Sequence, residues 1–179
     1  LDRFANAPVG AYAFACTGAS YLIGAEGENA LADRIQAARG RPFVTAARAV
    51  TEALRALDAR RLGLVSPYPA GLTEKSVGYW RERGFAVEAV AGGFDGGSDF
   101  HPIYSLSAAS ADDALKELAG QPVDAVVMLG TGMPTLGPIA RAARTDGPPV
   151  LSCMLALAWR AVVSLDGGQP DRASLEQWV

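Results

Sequence analysis

Short, wholly apolar runs alternate along the chain with longer stretches in which apolar residues recur every three or four positions. Residues 9–15 read as a buried strand, by continuous apolar character and short length. Beyond Gly18 the chain passes Gly24 and Gly27 into a weakly helical patch at 29–38, closed by Gly40. Residues 42–44 are short and extended, and Thr45 reads as the N-cap of a helix at 46–57. Residues 61–66 form the next buried strand, closed by Pro67-Tyr68-Pro69. Residues 73–83 have helical spacing, with Val77 and Trp80 on one face and Gly84 as the stop. Residues 85–91 alternate as a strand does, and 92–98, with four glycines, can only be a loop.

The second half repeats the alternation. Ser110 reads as the cap of a helix at 111–119, with Asp112 and Asp113 as charges that favour its N-terminal dipole. Residues 123–129 are a buried strand ending in Gly130-Thr131-Gly132. Residues 134–144 read as a helix with Pro138 in its first turns, 150–152 as a strand and 154–165 as a strongly apolar helix. Strands and helices joined by short connections imply an α/β fold, parallel sheets covered on both faces, with ligands at the carboxyl ends of the strands. Cys16, Tyr68 and Gly130 all fall there.

An internal repeat divides this fold. Residues 11–18 lie over 125–132, apolar strand against apolar strand, with Thr17-Gly18 opposite Thr131-Gly132, and 42–45 lie over 149–152. Matching strand-turn-helix units predict two pseudo-symmetric lobes, each a parallel sheet flanked by helices, with the active site at their interface. The first lobe is expected at 1–58 and 149–179, the second at 59–148.

Cys16 is the strongest chemical candidate. A strand that delivers a thiol into a small-residue turn ahead of a helix sets it among backbone N–H groups, where it is a usable nucleophile or proton donor. Burial as a small core residue is the competing reading. Cys153 opens an apolar helix and reads as core. The lone histidine, His101, follows the glycine-rich loop and reads as a surface or packing residue. That loop has no Lys-Ser/Thr ending and is not a phosphate loop. Arg48 and Arg55 share a helix face; solvated charge is the default, though an arginine near the cleft would attract a dicarboxylate.

Composition removes several classes. With half of 179 residues apolar, the chain can bury a real core. A net charge of -3 and scattered Lys and Arg offer no track for phosphate backbones, so nucleic acid is not an expected partner. Two cysteines far apart form neither a metal site nor a disulfide framework, and a reducing cytoplasm suits them. No apolar stretch is long enough to span a bilayer, and no membrane partner is expected.

Ala15-Cys16-Thr17-Gly18, Ser66-Pro67-Tyr68, the Thr-Gly turn after Leu129, Pro149-Val150-Leu151-Ser152 and Ala156-Leu157-Ala158-Trp159 together resemble the maleate isomerase and arylmalonate decarboxylase branch of the aspartate/glutamate racemase superfamily. The resemblance runs over most of the chain. It implies two pseudo-symmetric α/β lobes, no cofactor or metal, a small dicarboxylate substrate at the lobe interface, and a first family strand upstream of Leu1; a homo-oligomer is left open. Cys16 matches the first-lobe cysteine, which in maleate isomerases adds to the substrate double bond. Thr17 and Gly18 match carboxylate-holding residues, Tyr68 the tyrosine of a Thr-Pro-Tyr-like turn, and Gly130, Thr131 and Gly132 the partner turn. One position departs, because Gly130 stands where two-cysteine relatives place the second thiol. A symmetric two-thiol racemase therefore does not fit. An isomerase using Cys16 as nucleophile, a decarboxylase of substituted malonates using it as sole proton donor, and a non-catalytic carboxylate binder remain.

Overall fold

One of the two strands with neighbours on both sides, β3 (Arg61–Ser66), is buried from Leu62 to Ser66, as its unbroken apolar run requires of a parallel sheet covered on both faces. The computed structural model describes residues 1–4, 6–92 and 102–178. Around β3 lie β4 (Ala86–Gly92) on one side and β5 (Ala125–Met128) then β6 (Val150–Ser152) on the other, all parallel. β1 (Tyr12–Phe14) and β2 (Phe43–Thr45) form a separate parallel pair. The helices are α1 (Thr17–Arg39), α2 (Ala46–Ala56), α3 (Ala70–Glu82), α4 (Ala108–Glu117), α5 (Leu136–Ala142), α6 (Cys153–Leu165) and α7 (Arg172–Leu175), with a 3-10 turn at Pro102–Ser105. The α/β class with parallel sheets flanked by helices is as the pattern implies.

Several elements differ from expectation. Strand β1 is not buried: Ala13 and Phe14 are exposed, and among the described residues β1 pairs with β2 alone. Helix α1 starts at Thr17 and continues past both glycines, with Gly24 at φ 73°, ψ 173° as a break between two helical segments. The Glu82 carboxylate accepts from the Ala25 N–H (3.0 Å), capping the segment beyond the break. Helix α4 is capped by Ser107, not Ser110; the Ser107 hydroxyl accepts from the Ser110 N–H, and the Ser110 hydroxyl accepts in return from the Ser107 N–H. Asp112 and Asp113 thereby move to the second turn, where they pair with Arg141 and Lys116. The Thr45 cap of α2 is present, accepting from the Arg48 N–H. Grouping 149–179 with the first lobe meets a split: β6 hydrogen-bonds to β5 and extends the four-stranded sheet, whereas α6 packs along α2.

One buried charge ties α1 to the rest. Glu28, 1 % exposed, accepts from Ser20 Oγ (2.6 Å), Thr45 Oγ1 (2.6 Å), the Tyr79 hydroxyl and Arg83 Nη2 (2.5 Å). Arg83 also donates to Asn29 Oδ1 and the Tyr79 hydroxyl. Both carboxylate oxygens are doubly satisfied, the condition under which a buried charge is tolerated. Tyr21, Tyr79, Trp80 and Phe85 pack edge to face beside this network and seal α1 against α3.

Candidate functional site

Strand β1 ends in extended backbone at Cys16 (φ −148°, ψ 93°), which becomes the N-cap of α1 without a side-chain cap. Its thiol is exposed. The first N–H groups of α1, at Thr17 and Gly18, therefore meet no side-chain acceptor from the cap position, and both residues line the cleft. Cysteine is a poor cap, and here its side chain makes no cap hydrogen bond.

Tyr68 comes from the far side. Pro67 and Pro69 stiffen the turn after β3, and a ring of hydroxyls fixes it: Ser66 Oγ bonds to Thr73 Oγ1 (2.7 Å), accepts from the Tyr68 N–H (3.3 Å), and Thr73 Oγ1 donates to the Tyr68 carbonyl (3.1 Å). The Tyr68 hydroxyl then reaches Thr17 Oγ1 at 2.8 Å, joining the two lobes. Burial holds the Tyr68 phenol well above the ordinary tyrosine range, with nearby thiols adding to the effect, so it is a donor and not a phenolate at neutral pH. A second bridge runs from Thr131 Oγ1 to the Ala15 carbonyl (3.0 Å).

These groups enclose a cleft of about 140 Å³ lined by Cys16, Thr17, Gly18, Tyr68, Thr131 and Gly132, with Leu72, Ile103 and Tyr104 as apolar walls. No lining residue among those described carries a charge. Arg48 lies elsewhere, paired with Asp33, and Arg55 is exposed on α2. A carboxylate in this cleft would be held by neutral donors: backbone N–H groups and Tyr68. A groove of about 730 Å³ between α4 and α5 is larger, but its lining has neither thiol nor tyrosine. Among the described residues no cluster of His, Cys, Asp and Glu could hold a metal ion, and no helix is long and apolar enough to cross a membrane.

Gly130 is not among the residues that line the cleft. Its φ is +79°, and a Cβ built there would stand 2.6 Å from Ile103 Cδ1 and 2.7 Å from Pro67 Cγ. Ile103 and Pro67 fill the space that a side chain from this turn would need. Gly130→Ala is expected to cost about 1–3 kcal/mol through left-handed backbone and overpacking together; a shift in the urea midpoint checks it. Sequence reasoning paired Gly130 with Cys16 but missed Leu72, Ile103 and Tyr104. Leu72 lies one residue ahead of the expected helix at 73–83, and Ile103 and Tyr104 lie in a stretch with no clear period. His101 and most of the 92–98 loop lie outside the described residues.

Cys153 is buried, as its apolar surroundings suggest. Burial pushes its thiol up to about 12. A thiol with its pKa raised in the folded state stabilises fully below the unfolded value near 9 and loses that contribution as pH climbs from 9 towards 12. Urea titrations at pH 7 and pH 10 should therefore show a smaller alkaline loss in Cys153→Ser than in the wild type.

Two parallel α/β lobes that close on a cleft with one exposed thiol and a facing tyrosine define a class of two-lobed cysteine-site proteins. The chain belongs to the arylmalonate decarboxylase family, whose sequence model matches residues 3–175. It is 34% identical over 165 residues to a maleate isomerase of Nocardia farcinica, covering 86% of this chain and 62% of that protein. A Nocardia farcinica maleate cis-trans isomerase variant with a covalently bound succinylcysteine intermediate superposes with a TM-score of 0.83 at 28% identity, over 98% of this chain and 74% of that one. A crystal structure of arylmalonate decarboxylase gives 0.82 at 25% identity, over 93% and 73%. The chain thus spans less than two thirds of the Nocardia isomerase sequence it matches. The branch read from the residues, maleate isomerase and arylmalonate decarboxylase, is the one found.

Proposed function

We propose that the protein is a cysteine-dependent, cofactor-independent isomerase of a small dicarboxylic acid, converting a cis-enedioate of the maleate type to its trans isomer. One observation carries this reading: the exposed Cys16 thiol stands at an uncapped helix N-terminus in a neutral, donor-lined cleft that Tyr68 closes from the other lobe. Cys16 loses its proton to solvent, and its thiolate adds to one alkene carbon. The π pair moves onto the neighbouring carbon and its carboxylate, where Tyr68 and the Thr17, Gly18, Thr131 and Gly132 amides spread the charge. The former double bond is now single and rotates. The electron pair returns, the C–S bond breaks, and the trans product leaves with the thiolate restored. Atoms balance without a net proton or redox partner. The relative's succinylcysteine intermediate supports the covalent step.

Decarboxylation of a substituted malonate is the second reading, favoured by Gly130: expelling CO2 needs one proton donor, and the plugged turn leaves one thiol at the cleft. The unpaired cysteines suit a reducing cytoplasm. Proton NMR of the protein with maleate, alongside CO2 detection with a phenyl-substituted malonate, separates the readings. Fumarate from maleate supports the isomerase, and CO2 alone supports the decarboxylase. Saturable binding without either product leaves a carboxylate-binding protein.

A further inference from the structure

We propose that Ile103 is a specificity-determining residue of the Cys16 cleft, holding it to a size that takes a four-carbon dicarboxylate, bare or methyl-substituted, and shuts out an aryl substituent. The proposal rests on reading that cleft as the substrate site.

The apolar walls of the cleft, Leu72, Ile103 and Tyr104, each lie against a glycine. A Cβ built at Gly18 would stand 3.7 Å from Leu72 Cδ2, an ordinary contact. One built at Gly132 would stand 3.1 Å from Tyr104 Cε1 and 3.4 Å from Ile103 Cγ1, and one built at Gly130 only 2.6 Å from Ile103 Cδ1. Ile103 therefore spans both glycines of the Gly130-Thr131-Gly132 turn, and at 5 % exposure it is packed there. The position beside Gly130 is also 3.5 Å from the Tyr68 hydroxyl, so the tip of Ile103 stands next to the group that would hold the substrate. Where a glycine has let a wall move in, the cleft has lost that width. Tyr104, 67 % exposed, stands at the rim, which leaves Ile103 as the buried wall that sets the inner size.

The space that remains, about 140 Å³, decides what enters. An apolar cavity of about 150 Å³ takes one benzene ring. A phenyl substituent alone would therefore use the whole cleft and leave no room for the carboxylates that Tyr68 and the amides hold. A four-carbon dicarboxylate is only slightly larger than benzene, and its outer end can rest at the rim, where Cys16 and Tyr104 are exposed.

The test uses ligands that neither an isomerase nor a decarboxylase of malonates turns over. Succinate, 2-methylsuccinate and 2-phenylsuccinate have no double bond and no two carboxylates on one carbon, and each is titrated as a protectant of Cys16 against iodoacetamide. In the wild type, the constants for succinate and methylsuccinate should agree within about threefold, and that for phenylsuccinate should be weaker by roughly tenfold or more, the scale of a misfitted apolar group in a closed pocket. Ile103→Ala should bring phenylsuccinate closer to succinate by roughly tenfold or more, and Ile103→Val, which lacks the δ-methyl that reaches Gly130, should fall between. The ratio of two ligands within one variant cancels any general loss of thiol reactivity. Thermal midpoints confirm folding, and Val carries the test if Ala does not fold. Phenylsuccinate that protects the wild type as well as succinate does, or a ratio that the Ile103 variants leave unchanged, overturns the inference. A wild type that succinate does not protect overturns the reading of the cleft itself.

Discussion

Cys16→Ala is expected to abolish turnover of the proposed dicarboxylate substrate, by on the order of 10⁴-fold or more, with the variant folding as the wild type does. The loss is large because no other lining residue can form the bond to carbon: Tyr68 is buried and held protonated, Thr17 is bonded to it, and the Thr131 hydroxyl is engaged with the Ala15 carbonyl. Stability is spared because the Cys16 side chain is exposed and caps no helix, so its removal leaves neither a cavity nor an orphaned group; a change within about 0.5 kcal/mol is expected. Cys16→Ser is almost as inactive, since a serine hydroxyl at an exposed position is scarcely ionised at neutral pH. Fumarate formation read by NMR, with a urea curve on the same sample, checks both halves.

The largest expected effect on stability lies elsewhere. Glu28→Ala should lose about 3–5 kcal/mol, because it leaves the Arg83 guanidinium buried with its anion gone, and Ser20, Thr45 and Tyr79 without their shared acceptor. For a domain whose whole stability is about 5–15 kcal/mol, such a loss brings it near unfolding at 37 °C. Glu28→Gln keeps one acceptor oxygen for Ser20 and Thr45 and should lose less, about 1–3 kcal/mol. Urea unfolding measures both. The same change should disturb the cleft, since Ser20 sits one turn beyond Thr17 and holds the first segment of α1 to the network.

The contrast between these residues explains what was legible in the sequence. Cys16 and Tyr68 stand in local patterns, a thiol after an apolar run and a tyrosine between prolines, and such patterns survive without tertiary information. Glu28 looks like an ordinary surface acid on a glycine-interrupted helix. Its burial depends on partners up to 55 residues away, which no local period reveals. The glycines at 24 and 27 argued against a helix, yet packing against α3 overrides that propensity, and Gly24 serves as a break within it. Strand β1 was misjudged for a related reason. An apolar run reports how a strand could be covered, whereas exposure depends on which neighbours pair with it. Ser107 lost to Ser110 as the expected cap because either serine fits an N-cap position, and the reciprocal bond between them is a matter of geometry. Gly130 was visible as a missing thiol; that Ile103 and Pro67 occupy the vacated space was not.

The central claim is that chemistry runs from Cys16 and from no other thiol. Stepwise alkylation of the wild type with iodoacetamide, with peptide mapping and fumarate formation followed on the same aliquots, tests it most directly. The account predicts that activity falls in proportion to label on Cys16 and reaches zero while Cys153 remains unmodified. Activity that survives complete modification of Cys16, or that falls in step with Cys153 instead, contradicts it.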